Sequence, residues 1–159
     1  MPEATRDRAW IAARIPHQGS MCLLDGVVEW DAASVRCTAT SHTQADNPLR
    51  AQGRLAATCG IEYAAQAMAV HGALLAEAAR RGGARQRPRT GYLASVRKLV
   101  LQVERLDDIP APLEISAERI SGEGATVLYA FVVSAAGRTL LSGRAAVILD
   151  AAALGDNAS

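Results

Sequence analysis

Aromatic residues are scarce in this chain, 4% of 159 positions, although half of the residues are hydrophobic, so its core must be built from Ala, Val, Leu and Ile. Cysteine is scarce too: Cys22, Cys37 and Cys59 are odd in number, widely spaced and without a CxxC pair, which indicates neither a disulfide framework nor a zinc or other metal site. They are expected as buried reduced thiols, with Cys59 the one whose pKa a nearby helix start could lower. The formal net charge is only +1, which leaves no field for binding nucleic acid. The opening MPEATRDRAWIAARIP lacks the apolar stretch and cleavage site of a secretory signal, and a cytoplasmic location is the default expectation. The length suits a single domain over 1–159, with 1–8 and 151–159 expected to fray.

Proline is absent from Thr58 to Arg81, and that stretch carries eight alanines between Ala64 and Ala79. It reads as one long helix whose apolar residues occupy nearly every face, and such a helix must be surrounded by protein. Glu62, Gln66, His71 and Glu77, and the preference for Ala over Leu, argue against a membrane span. Glu62 falls in the first turn, where burial favours the neutral acid and the helix dipole favours the anion. A carboxyl group held between those influences can act as a general acid or base; the same position also suits an ordinary surface acid that complements the dipole.

Around this helix the pattern is that of strands. A short helix over Arg8–Arg14 leads into a loop and a strand from Cys22 to Trp30, with Gly26 as a bulge candidate. SVRCTATS alternates cleanly as a second strand, and His42 to Ala57 is a long polar loop with a turn at Asn47-Pro48. RRGGARQRPR ends the helix and packs five arginines into ten residues, a run that fits a solvated loop or an acidic partner. Four strands follow, Gly91 to Leu106, Leu113 to Ile120, Ala125 to Ser134 and Thr139 to Leu149, the last three joined by hairpin turns. No βαβ repeat occurs, so the fold class is α+β, with one long helix covered by a curved antiparallel sheet. Its open edges and exposed face would be protected by pairing of two copies.

Three segments carry a family resemblance: IPHQGSMCLLDGVV, GIEYAAQAM and GYLASVRKLVLQVERLDDIPAPLEISAERI. They resemble the hotdog-fold 3-hydroxyacyl-acyl-carrier-protein dehydratases, in particular the branch associated with aryl polyene and related pigment clusters. The resemblance implies a hotdog fold, a dimer or a hetero-oligomer with another hotdog subunit, and active sites at the interface. The implied substrate is a 3-hydroxyacyl thioester on the phosphopantetheine arm of an acyl carrier protein, with no further cofactor, dehydrated to the 2-enoyl thioester. Glu62 matches the family's catalytic acid and Gln66 the glutamine after it on the same face, expected to bind substrate. Arg97 and Lys98 match a basic region expected to dock the carrier.

The chain departs from the pattern in the loop before the helix, where DNPLRAQGRLAATCG holds no histidine and the usual catalytic base is missing. His71, nine positions after Glu62, points to the opposite side of the helix and reads as a core residue. His42 reads as a surface residue. His17, in the opening motif, is either the base or a brace of its loop. If it is the base, neutral His17 takes a proton from the carbon beside the thioester carbonyl, Glu62 protonates the departing hydroxyl, and a backbone N–H near Gly60 stabilises charge on the carbonyl oxygen. A hotdog thioesterase and a catalytically weak partner subunit of a heteromeric dehydratase are the competing readings.

Overall fold

A computed structural model describes residues 6–15, 19–83 and 91–149. Two helices, α1 (Arg8–Ala12) and α2 (Gly60–Arg81), accompany six strands: β1 (Gly26–Trp30), β2 (Ser34–Ala39), β3 (Gly91–Leu101), β4 (Leu113–Glu123), β5 (Thr126–Ala135) and β6 (Arg138–Leu149). The strands form one antiparallel sheet in the order β1-β2-β4-β5-β6-β3. Among the described residues no helix is long and apolar enough to cross a membrane.

Helix α2 lies across β2, β4 and β5. Its alanines bring the helix close to the sheet, and Tyr63, Ala64, Ala67, Val70 and Leu74 are sealed against Cys37, Ile115, Ala117, Phe131 and Val133. Fully burying a residue such as Leu74 contributes about 2 kcal/mol. The helix ends at Gly82, whose amide donates to the Ala78 carbonyl, followed by Gly83 at φ +93. That left-handed glycine is the usual device for stopping a helix. Ala135 pairs with Arg138 across Ala136-Gly137, both at positive φ, a two-residue turn whose twist suits the hairpin.

Several strand boundaries differ from expectation, and at two of them the reason lies outside the strand. Cys22 to Leu24 are buried but leave the ladder, because the Leu23 amide donates to the Gln66 side chain and the Leu23 carbonyl accepts from the Ser41 hydroxyl. β1 therefore starts only at Gly26, and its irregularity falls between Val27 and Glu29 rather than at Gly26. Gly26 serves close approach instead: a Cβ there would lie 3.1 Å from the Arg6 carbonyl oxygen. The strand expected over Gly91–Leu106 ends at Leu101, because the chain beyond it turns to the approach of α2: Ala57 N–H donates to Glu104, Leu106 N–H to Leu55, and Leu55 N–H to the Asp107 carboxylate.

β3 is a terminal strand, and it exposes Tyr92 (57%), Val100 (46%) and Leu101 (44%). Apolar side chains on an open edge form a template for another strand. Between Arg97 and Val100 the register slips, and Lys98 sits at φ +55, a conformation that costs a residue with a Cβ on the order of 1 kcal/mol.

Candidate active site at the start of the long helix

The backbone begins to coil before α2 itself. Ala57–Cys59 form a 3-10 turn entered from extended Ala56, and no side chain caps it. Glu62 therefore stands one turn inside the coiled segment, half-buried, at a point where the partial positive charge of the helix start still acts.

One turn further on, Gln66 is completely buried and its amide is committed to the protein. Nε2 donates to the Met21 carbonyl at 2.7 Å and reaches Glu62 Oε1 at 3.4 Å, while Oε1 accepts from Leu23 N–H at 2.9 Å. Gln66 thus straps Met21 and Leu23 to the helix beside Glu62. His17, four positions before Met21, lies outside the described residues. Its flanks are anchored, by Arg14 to Glu77 at 2.8 Å and by Arg8 to the Gly19 carbonyl at 3.1 Å, with the Arg14 guanidinium 4.3 Å from the centre of the Trp10 ring.

Gly60 begins α2. Its amide already donates to the Ala57 carbonyl within the 3-10 turn, and a Cβ at this position would lie 2.6 Å from Leu141 Cδ2. Close packing of the helix start against β6 explains the glycine.

Beneath the helix start lies a polar cluster that the sequence reading missed. The Tyr63 hydroxyl meets Ser41 Oγ at 2.7 Å and accepts from Asn47 Nδ2 at 3.0 Å, and Asn47 also donates to the Ser41 carbonyl and accepts from Leu49 N–H. All three residues are buried. Asn47-Pro48 signals a turn in the sequence, but nothing there reveals that the same amide reaches into the core for Tyr63.

The histidines divide. His71 is fully buried: Nε2 donates to the Asp31 carbonyl at 2.9 Å, so Nδ1 is the acceptor for the Tyr129 hydroxyl at 2.7 Å. It is the satisfied core histidine expected, and burial holds its pKa below the ordinary value. His42, expected at the surface, is 1% exposed, donating from Nε2 to the Ile109 carbonyl at 3.0 Å. The loop that carries it folds under residues 107–111 instead of outward, and desolvation lowers its pKa as well. Cys59 has a thiol pushed up by burial and directed at the Leu49 carbonyl, which removes it as a thiolate nucleophile.

Arg97 and Lys98 are not brought to Glu62. Arg97 pairs with Arg144 on the outer face of the sheet, opposite to the face that α2 covers. Arg80 and Arg81 lie at the other end of α2, about 28 Å from Glu62 at 1.5 Å per residue, and residues 84–90 lie outside the described residues.

Comparison with known proteins places this geometry. The chain aligns with a chain of the dehydratase heterocomplex ApeI:P from Xenorhabdus doucetiae at 22% identity, covering 88% of this chain and 90% of that one, with a TM-score of 0.74. The thioesterase PA1618 from Pseudomonas aeruginosa, crystallised as a mutant, aligns at 13% identity over 92% and 96% of the two chains with a TM-score of 0.61, and zebra fish thioesterase superfamily member 2 at 13% over 90% and 95% with 0.58. At these identities the structures establish the hotdog fold that dehydratases and thioesterases share. Among curated proteins none matches the sequence significantly. The sequence model of the ApeP dehydratases, however, matches residues 9–154, nearly the whole chain, and by that match this protein belongs to the ApeP-like dehydratase family.

Proposed function

We propose that the chain takes part in the dehydration of a 3-hydroxyacyl thioester, presented on the phosphopantetheine arm of an acyl carrier protein, to the 2-enoyl thioester. The observation that supports this reading is the strap from Gln66, which holds Met21 and Leu23, a few positions after His17 in the chain, beside Glu62. His17 in that segment takes the proton from the carbon next to the carbonyl, and Glu62 donates a proton to the departing hydroxyl. One proton and one hydroxide leave as water, so the reaction is redox-neutral and calls on no cofactor beyond the carrier's arm. The coiled backbone at Ala57–Cys59 adds a favourable field for the negative charge that develops on the thioester oxygen.

A second reading is favoured by residues 46–60 leading into α2, which hold no histidine and whose Asn47 is spent on Ser41 and Tyr63. In it the chain is one half of a heteromeric hotdog dehydratase, as in the ApeI:P heterocomplex, joined through the open edge of β3. Mass spectrometry of a 3-hydroxyacyl carrier protein incubated with the purified chain separates the readings. Loss of water that disappears in both His17→Ala and Glu62→Gln supports the first. Turnover only after a second hotdog dehydratase subunit is added supports the other, and release of free acid identifies a thioesterase.

A further inference from the structure

β5 carries an apolar stripe on the face of the sheet turned away from α2. Its inward residues Val127, Tyr129, Phe131 and Val133 are buried, whereas Leu128 and Val132 stand 42% and 36% exposed with half-buried Ala130 between them. The positions paired with Leu128 and Val132 are small, Ala146 and Ser142 on β6 and Ser121 and Ser116 on β4. The stripe therefore stands above its own sheet without taller neighbours to shield it. In the middle row Ala130 lies between Arg144 on β6 and Glu118 on β4, both exposed. Among the described residues neither of these charges forms an ion pair. The face is thus basic on one flank of the stripe and acidic on the other, where Glu114 is exposed along the same strand as Glu118.

We propose that this face is a contact between two copies of the chain, packed sheet on sheet about a two-fold axis that runs along β5. Such an axis lays Leu128, Ala130 and Val132 of one copy on the same residues of the other and exchanges the two flanks. Arg144 of each copy then lies over Glu118 of the other, twice by symmetry. An apolar centre with a charged pair on either side has the anatomy of a subunit interface, and an isologous contact closes at two copies. Aligned sheets pack about 10 Å apart, a gap that Leu and Val side chains from both faces fill and that the Ala and Ser flanks do not obstruct. The mixed charge selects the occupant. An acidic protein face or a phosphate-rich surface is attracted by Arg144 but repelled by Glu118 and Glu114, whereas the chain's own face matches both flanks. Addition of a strand at the β3 edge extends the sheet in its own plane, so the two contacts are compatible.

The test is sedimentation equilibrium of the full chain and its charge variants at physiological salt. Arg144→Glu and Glu118→Arg each set like charges against one another across the two-fold, and each is expected to weaken self-association about tenfold or more. An equimolar mixture of these two variants restores opposite charges on both flanks and should recover the wild-type mass, as should the double variant Arg144→Glu, Glu118→Arg. A variant that merely misfolds is not recovered by mixing. The proposal is overturned if the wild-type chain has the mass of the single variants, or if neither the mixture nor the double variant regains what they lose. Leu101→Lys at the β3 edge separates the two contacts: in that background Arg144→Glu should still lower the mass, and no further loss would overturn the proposal by placing Arg144 in the edge contact. Displacement of the second copy by unacylated acyl carrier protein or by phosphatidylserine vesicles would assign the face to that partner and overturn it as well. No turnover is measured, so the outcome is independent of the dehydration reading.

Discussion

Gln66 donates to one main-chain group of the opening segment and accepts from another, so its removal should be felt in stability before chemistry. Gln66→Leu keeps the volume but leaves the Met21 carbonyl and the Leu23 amide without partners, at a cost of about 1–3 kcal/mol each. A melting temperature lowered by several degrees is expected in thermal denaturation, and a variant that melts like wild type would contradict the strap. Glu62→Gln is half-buried and close to isosteric. It should melt normally while losing on the order of 100-fold or more in dehydration, measured in the assembly that turns over. The two buried histidines set a pH dependence. Both have pKa values lowered from 6.5 by desolvation, so the folded state prefers them neutral and the unfolded chain takes up protons first. Their contribution is complete above about pH 6.5 and is lost as pH falls toward the lowered folded values. Urea midpoints should be flat from pH 7 to 8 and fall from pH 6.5 to 5, and His71→Gln should flatten part of that fall.

At the scale of single elements, α2 is defined as much by what it touches as by its propensity. Gly60→Ala would push a methyl group into fully buried Leu141, and overpacking of this kind costs about 1–3 kcal/mol. A shifted urea midpoint checks it; an unchanged midpoint would mean that Leu141 has room to move. β3 presents the opposite case, an element whose outer edge is unpaired among the described residues. Val100→Lys and Leu101→Lys replace exposed side chains and should change monomer stability by no more than about 0.5 kcal/mol. Light scattering should nevertheless show a smaller assembly than wild type if the β3 edge is the subunit interface, and the same mass if it is not.

For the molecule as a whole, the helix and six strands were legible in the sequence because each follows a period: alanine-rich and proline-free for α2, strict alternation for β2 and β5, and glycine-marked turns between the late strands. The family was legible for a related reason, since the motif around Glu62 and Gln66 and the opening motif stand in the expected order. Covalent spacing determined those features, and local backbone preference is nearly sufficient to realise them. Contacts between segments far apart in the chain were settled only by the tertiary structure. Gln66 spans 45 positions to Met21, His42 spans 67 to Ile109, and Tyr63 reaches Ser41 and Asn47 across the long loop. A histidine expected at the surface, His42, is a buried one. Composition cannot announce such changes, because a polar side chain is buried only when distant backbone supplies its partners. Likewise the opposition of Arg97 and Arg144 depends on β3 joining the sheet beside β6, a pairing decided by which edge remains open once the hairpins have formed.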